Sequence, residues 1–132
     1  MVEAEDPGEI IRVLLVEDNV DHALLAQNGL PADLGFEVTH VRTGAEAIDA
    51  ARSEDFEVFL LDYRLPDREG IDVCQRIREE ASEALILLVT AVDREALVRE
   101  AFDAGADDYV VKGPSFMDRI ADEVLANLEA PA

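Results

Sequence analysis

Residues 56–70 have the sequence FEVFLLDYRLPDREG, in which a short apolar run ends at a single carboxylate, Asp62. Pro66 and Gly70 follow, and both break regular structure. This pattern is typical of a strand that is buried on both faces in the middle of a parallel sheet. Asp62 is then expected at the carboxyl end of that strand, where ligands gather in open α/β sheets. An Asp before a loop can also do no more than cap a helix, so the other strand ends decide between the two roles.

Strand and helix patterns alternate five times along the chain. The predicted strands are residues 10–16, 36–41, 58–61, 84–91 and 109–111. The predicted helices begin near residues 20, 44, 68, 93 and 115 and end near residues 29, 52, 81, 104 and 128. Gly29 and Pro31 are expected to distort the end of the first helix. The alternation predicts an α/β domain with a five-stranded parallel sheet and helices on both faces.

Capping residues and apolar spacing predict how the helices begin, end and face the sheet. The expected caps are Asp18 or Asn19 for the first helix, a capping box of Thr43 and Glu46 for the second, and Asp93 for the fourth, which Gly105 ends. The side chains expected to face the sheet include Leu24, Leu25, Leu97, Ala101, Phe102 and, in the last helix, Phe116, Ile120, Val124 and Leu128.

Length and composition indicate one folded domain. The chain has 132 residues, of which 49% are hydrophobic, so it is large enough for a core and too short for two ordinary domains. Residues 1–9 are predicted to be a flexible leader and residues 129–132 a tail. No apolar run approaches the roughly 20 residues of a membrane span, and the acidic start does not fit a secretory signal. We therefore expect a cytoplasmic protein that does not contact a membrane.

The charge of the chain is strongly negative. Eleven basic residues against 31 acidic residues give a net charge of −20, and such a surface repels nucleic acid and anionic lipid. Ten of the basic residues are Arg, and Lys112 is the only lysine. An acidic, lysine-poor surface suggests the hypothesis of a protein adapted to high salt, in which screening reduces the self-repulsion.

Polar groups follow four of the five predicted strands: Glu17 and Asp18, Asp62, Thr90 and Lys112. Carboxylates that converge at one edge repel each other unless a proton or a cation lies between them. Hard oxygen ligands of this kind suit Mg²⁺. A lysine and a threonine opposite them would bind an anion, and a carboxylate can itself attack phosphorus to give an aspartyl phosphate.

Each of these residues also has an ordinary explanation. The acids at 17 and 18 could be loop residues of an acidic protein, Thr90 a satisfied strand hydroxyl, and Lys112 a surface cation. For any one residue the ordinary explanation is at least as good. The joint placement at successive strand ends favours a site.

These motifs together closely resemble the receiver domain of two-component response regulators. The resemblance rests on Glu17-Asp18, on Asp62 with the downstream Pro66 and Gly70, on Thr90-Ala91, and on GADDYVVK at residues 105–112. It covers residues 10–128, which would form the receiver domain. By this resemblance the strand order is 2-1-3-4-5 and the fold is flavodoxin-like.

The resemblance also implies a role for each matching residue. Asp62 would be the phosphoacceptor, and Glu17, Asp18, Asp62 and the backbone carbonyl of Arg64 would bind Mg²⁺. Thr90 and Lys112 would bind phosphoryl oxygens, Ala91 would leave room for them, and Tyr109 with Thr90 would form the switch. The family pattern has Pro directly after the lysine, whereas here Gly113 comes between Lys112 and Pro114, so a cis peptide is not carried over.

The expected function is that of a signalling module, which catalyses only its own aspartyl phosphorylation and dephosphorylation. The expected partners are a sensor histidine kinase or phosphotransfer protein and a downstream protein, without nucleic acid. Because the resemblance extends nearly to the last residue, we expect a stand-alone receiver; the alternative within this class is a receiver excised from a longer hybrid protein. The alternatives are a flavodoxin-like cofactor-binding protein, whose phosphate the acids after the first strand would repel, and an unphosphorylated scaffold with the same fold.

Overall fold

The computed structural model describes residues 10–91, 94–112 and 116–129. Five predictions lie outside the described residues or side chains: the leader at 1–9, the cap at Asp93, the turn at Gly113 and Pro114, the side chain of Phe116, and residues 130–132 of the tail. Within the described part of the chain, no helix has both the length and the apolar character that crossing a membrane requires.

Five strands alternate with five α-helices. The strands are β1 (Ile11–Val16), β2 (Phe36–Val41), β3 (Val58–Asp62), β4 (Leu85–Thr90) and β5 (Asp108–Val111). The helices are α1 (Val20–Asn28), α2 (Gly44–Ser53), α3 (Gly70–Glu80), α4 (Glu95–Asp103) and α5 (Phe116–Glu129), with a short 3₁₀ helix at Ala32–Leu34 between α1 and β2. α1 ends at Asn28 with Gly29 as its C-cap, and Pro31 is the N-cap of the separate 3₁₀ helix.

The strands form one parallel sheet in the order β2-β1-β3-β4-β5, which confirms the predicted order 2-1-3-4-5. In register, Asp62 at the end of β3 lies opposite Val89, next to Thr90 at the end of β4. Thr90 in turn lies opposite Val111, directly before Lys112. Parallel pairing therefore brings the polar strand ends to one edge, which we call the carboxyl edge of the sheet.

Successive side chains of the central strand β3 point to opposite faces of the sheet, and each face has its own hydrophobic core. Phe59 and Leu61 belong to the core beneath α2, α3 and α4, whereas Val58 and Leu60 belong to the core beneath α1 and α5. All four are essentially inaccessible to solvent because successive side chains of a strand point to opposite faces and this sheet is covered on both.

Local capping follows the sequence closely. The side chain of Asn19 accepts a hydrogen bond from the backbone N–H of His22 and caps α1. Thr43 and Glu46 form the predicted capping box of α2. Gly105 has a φ of 112° just after α4, a left-handed conformation that favours glycine.

Four side chains predicted to face the sheet are exposed instead. Leu24 and Leu25 are 56% and 50% exposed, and the residues of α1 that pack on the sheet are Ala23 and Ala26. Small residues let α1 lie close to the sheet, which turns the adjacent leucines, about 100° round the helix, toward solvent.

The other two corrections concern α4 and α5. Phe102 is 46% exposed because it lies one position past Ala101, which takes the inner face of α4 together with Leu97. Leu128 is 39% exposed in the last turn of α5, whereas Ile120 and Val124 are buried as predicted. The spacing of apolar residues identified each helix, but it placed these side chains on the wrong face.

Candidate functional site

Three carboxylates meet at the carboxyl edge of the sheet. Glu17 and Asp18 follow β1, Asp62 ends β3, and one carboxylate oxygen from each lies within 4.8 Å of the others. Glu17 is almost fully buried, and the Asp62 side chain is 13% exposed. Buried acids at this spacing cannot all be charged without compensation.

The only lysine of the chain lies beside these acids. The Lys112 ammonium is 2.8 Å from Glu17 Oε1 and 3.6 Å from Asp62 Oδ2, and its side chain is only 15% exposed. One ammonium therefore faces a cluster of three carboxylates. The cluster keeps an excess of negative charge.

This crowding separates the pKa values of two of the acids. Burial and the adjacent Glu17 carboxylate raise the pKa of Asp62 from 3.8 to about 7, and Lys112 offsets only part of that rise. Burial also acts to raise the pKa of Glu17, but hydrogen bonds with Lys112 and Asp62 outweigh it and lower that pKa. Below about pH 7 the cluster therefore holds a proton at Asp62, which relieves the repulsion between the carboxylates.

The donor set fits a hard divalent cation. Three carboxylates at short range are oxygen ligands of the type that Mg²⁺ prefers. The backbone N–H of Arg64 is 3.4 Å from Asp62 Oδ1, so this part of the loop lies next to the cluster. Glu17, Asp18 and Asp62 are thus compatible with the side-chain ligands implied by the resemblance.

The loop after Asp62 is fixed to its surroundings at two points. The Gly70 N–H donates to the carbonyl of Tyr63 over 2.6 Å, and a Cβ at residue 70 would collide with the backbone of Asp62 and Tyr63. The Asp67 carboxylate accepts hydrogen bonds from the Gly44 and Ala45 N–H groups, at 2.8 and 3.0 Å, and so caps α2 from a distant part of the chain. Both contacts restrict the loop that carries Arg64.

The acidic loop after β1 is held from the neighbouring strand β2. His40 Nε2 lies 2.7 Å from the carbonyl oxygen of Glu17, and an Arg42 N–H donates to the carbonyl oxygen of Asp18. The Asn19 N–H donates to Glu17 Oε2 over 3.1 Å. The directions of the two acids are therefore set by side chains and backbone outside the motif itself.

Thr90 and Tyr109 lie on the adjacent strands β4 and β5. Thr90 is 2% exposed, and its carbonyl accepts a 2.7 Å hydrogen bond from the Lys112 N–H. Tyr109 is half-buried against the core beneath α2, α3 and α4. Ala91, which the resemblance places beside a bound phosphoryl group, is exposed just after β4.

Three residues at this edge had no predicted role: His22, His40 and Asp67. His22 Nδ1 is 3.3 Å from the Lys112 ammonium. Each of them acts through a partner at least 20 residues away, so no local pattern could have pointed to them. Position relative to a strand end was the only available signal, because His40 lies near the end of β2.

Known proteins match this chain along most of its length. The profile of the response regulator receiver domain matches residues 13–124. The chain belongs to this family. Receiver domains of response regulators interact with histidine kinases and downstream effectors. The match favours the receiver interpretation over the flavodoxin-like alternative.

Individual relatives agree with the family match. The response regulator protein PmrA of Pseudomonas aeruginosa is 35% identical over 119 residues, which are 88% of this chain and 52% of PmrA. The BeF₃-activated receiver domain of DrrB has a TM-score of 0.81 and 30% identity, covering 92% of this chain and 99% of that one. The chain spans about half the length of the curated relatives it matches.

One similar solved structure is described with a modified aspartic acid and a metal ion. A response regulator protein from Burkholderia pseudomallei, described with a phosphorylated aspartic acid, a calcium ion and citrate, has a TM-score of 0.76 and 28% identity. The match covers 92% of this chain and 76% of that chain.

Proposed function

We propose that this receiver domain accepts a phosphoryl group on Asp62 and thereby controls a partner-binding surface. The observation that supports this most directly is the position of Asp62. Its carboxylate is buried at the end of the central strand, 3.6 Å from the only lysine and within 4.8 Å of two further acids. An acid so placed lies within reach both of carboxylates that can hold a cation and of an ammonium that can bind an anion.

Each residue at the carboxyl edge has a separate role in the proposed phosphoryl transfer. A carboxylate oxygen of Asp62 attacks the phosphorus of a phosphohistidine on a sensor kinase or phosphotransfer protein, and the P–N bond breaks as the imidazole leaves with its electron pair. Lys112 and Thr90 bind oxygens of the phosphoryl group and compensate its charge. Glu17, Asp18, Asp62 and, by the family resemblance, the Arg64 carbonyl would hold Mg²⁺. When bound, Mg²⁺ neutralises charge and positions the transferring group.

The product changes the charge at this edge. A phosphoryl group adds roughly 1.5 to 2 negative charges, so the phosphorylated state persists only when Lys112 and Thr90 close around it. Movement of the Thr90 hydroxyl toward the phosphoryl group vacates space behind β4, and Tyr109 on β5 is the neighbouring aromatic side chain. We infer that the surface formed by α4, β5 and α5 then shifts between two states and binds a downstream protein.

Amide chemical shifts test this switch. With a beryllofluoride mimic, the largest changes are expected at Asp62 and at residues 90–104 and 109–116. Changes confined to the loops after Glu17 and Asp62 would mean that Tyr109 only packs and that the signal leaves by another surface.

The proposal also includes a cytoplasmic location and a module that acts only on its own phosphorylation state. The direct test incubates the purified protein with Mg²⁺ and a small phosphodonor and measures the intact mass. We expect the mass of one phosphoryl group to be added, and only when Mg²⁺ is present. A protein that stays unlabelled under conditions that label a known receiver would instead be a scaffold with a receiver fold.

A further inference from the structure

His22 lies at the mouth of the site although it belongs to none of the acidic motifs. Its backbone N–H donates to the capping side chain of Asn19 over 3.0 Å, which fixes residue 22 in the first turn of α1. From there Nδ1 of the exposed ring reaches to 3.3 Å from the Lys112 ammonium, across 90 residues of chain. The cap of α1 therefore directs an imidazole at the lysine of the site.

The chemistry of the pair fixes the role of each atom. An ammonium group has three N–H donors and no acceptor. Nδ1 of His22 must therefore accept the hydrogen bond from Lys112, and the ring hydrogen is then carried by Nε2.

His22 gives the Lys112 ammonium a second hydrogen-bond acceptor besides Glu17. Among the described residues, one N–H of Lys112 meets Glu17 Oε1 at 2.8 Å and a second meets His22 Nδ1 at 3.3 Å. Asp62 Oδ2 is 3.6 Å away, which is too long for a hydrogen bond but close enough for an ion pair. Two acceptors thus hold the tetrahedral ammonium and leave its third N–H for the side on which Asp62 lies.

We propose that His22 is a positioning residue for phosphoryl transfer, which orients the free N–H of Lys112 toward the oxygen that arrives with the phosphoryl group at Asp62. This inference rests on the proposed function. With Glu17 as its only hydrogen-bond partner, the ammonium can rotate about that contact, and the ion pair with Asp62 at 3.6 Å does not fix the direction of its other N–H groups. With His22 as well, the donor is already aligned when charge develops on the phosphoryl oxygens, and less reorganisation is needed.

Three single variants isolate this role. His22→Phe keeps a ring but removes the acceptor, whereas His22→Asn places an amide oxygen near the former position of Nδ1. Leu24→Ala, at an exposed residue two positions further along α1, is the matched control. The rate of Asp62 labelling with Mg²⁺ and a small phosphodonor is expected to fall about fivefold in His22→Phe, as for one ordinary hydrogen bond. It should recover most of the way in His22→Asn and stay unchanged in Leu24→Ala.

A second readout follows Lys112 itself without metal or phosphodonor. Because Lys112 is the only lysine, lysine-specific ¹⁵N labelling gives one Nζ signal, which can be detected through the Hε protons. We expect His22→Phe to shift this signal, His22→Asn to shift it less, and Leu24→Ala to leave it in place.

The outcomes separate this inference from the proposed function. A His22→Phe variant with normal labelling would overturn the role of His22 alone, as would slow labelling with an unmoved Lys112 signal. Equal losses in His22→Asn and His22→Phe would also overturn it, because an acceptor would then not be what matters. A wild-type protein that takes no label would overturn the proposed function and this role with it, even if the Lys112 signal still reports the contact.

Discussion

The two edges of the sheet each place one cation among several acids, and they use it differently. At the amino edge, where the strands begin, the Arg12 guanidinium contacts Glu37 at 3.1 Å and Glu54 at 2.6 Å, and it stacks 4.9 Å from the centre of the Phe56 ring. At the carboxyl edge, Lys112 contacts Glu17 at 2.8 Å, and Asp62 remains at 3.6 Å.

The difference lies in burial and in unmatched charge. Glu37 and Glu54 are about half exposed, so water stabilises whatever charge Arg12 leaves unpaired. Glu17 and Asp62 are mostly buried, and the pKa of Asp62 rises to about 7 because neither water nor Lys112 fully stabilises its charge. Similar residue types therefore form a surface ion-pair network at one edge and a mostly buried acidic cluster at the other, where we propose that a cation and a phosphoryl group bind.

Neutralising one acid at each edge should give the largest difference between the edges, measured as covalent phosphoryl labelling. Asp62→Asn removes the nucleophilic carboxylate while keeping its shape, so covalent labelling should disappear and the fold should remain. The control is Glu57→Gln at the amino edge. Among the described contacts, the Glu57 carboxylate accepts a hydrogen bond only from the backbone N–H of Arg12, so this variant should leave labelling unchanged. Intact mass and circular dichroism measure both effects, and one-for-one labelling of Asp62→Asn at another acid would contradict the assignment.

The second-largest difference is expected in Mg²⁺ affinity, which variants at the carboxyl edge should lower and a variant at the amino edge should not. Glu17→Gln and Asp18→Asn each remove one charge from the cluster, and we expect Mg²⁺ affinity to fall by at least about tenfold. Glu54→Gln, the matched change beside Arg12, should have no effect. Titration calorimetry measures this, and wild-type affinity in both site variants would show that these residues are ordinary loop acids.

Exchanging the two cations tests whether their chemistry matters. A compact ammonium can meet one phosphoryl oxygen in a closed space, whereas the wider guanidinium does not fit as well. Lys112→Arg should therefore slow labelling by about tenfold and impair phosphorylation-dependent partner binding. Arg12→Lys should change neither. Normal signalling by Lys112→Arg would mean that the use of lysine there is incidental.

Stability should depend on pH through Asp62. Because its folded pKa of about 7 exceeds its ordinary value of 3.8, the folded state holds the extra proton between these values, and stability falls as pH rises through that window. The metal-free wild type should therefore lose about 1 kcal/mol per pH unit relative to Asp62→Asn. Denaturant unfolding from pH 4.5 to pH 7 measures the difference, and parallel curves over that range would contradict it. Added Mg²⁺ should stabilise the wild type more at the higher pH.

Salt should have the smallest and most diffuse effect. If the net charge of −20 reflects adaptation to high salt, KCl should raise the melting temperature by screening repulsion over the whole surface. The same rise is expected in Arg12→Lys, because it does not depend on that ion pair. A protein that is fully stable in dilute buffer, with no gain from KCl, would count against the adaptation.

Much of the fold could be predicted from local patterns. Each strand and helix was identified by its apolar spacing, and the caps at Asn19 and Thr43 and the glycine at 105 were identified by residue type. The order of the strands came from the family resemblance, because periodicity contains no information on which strands are neighbours. Helix faces were less predictable: Ala23 and Ala26 pack on the sheet and Leu24 does not, because close approach favours small residues.

The residues of the candidate site also fall into two groups, those that local patterns predict and those that they do not. The acids and the lysine were predictable because each one ends a strand, and parallel strands end at a common edge. His22 and Asp67 were not, because their partners lie at Lys112 and at the start of α2, and only the folded chain brings them together. The sequence identified the charged side chains that meet at this edge, and it left out the residues that contact them or their loops from elsewhere in the chain.

Localising the phosphoryl group within the chain tests the central claim most directly. The protein would be labelled with Mg²⁺ and a small phosphodonor, the acyl phosphate trapped by reduction with borohydride, and the peptides mapped by mass spectrometry. We predict that the modification appears at Asp62 alone and that neither Glu17 nor Asp18 is modified. Modification at another carboxylate, with Asp62 intact, would contradict the account.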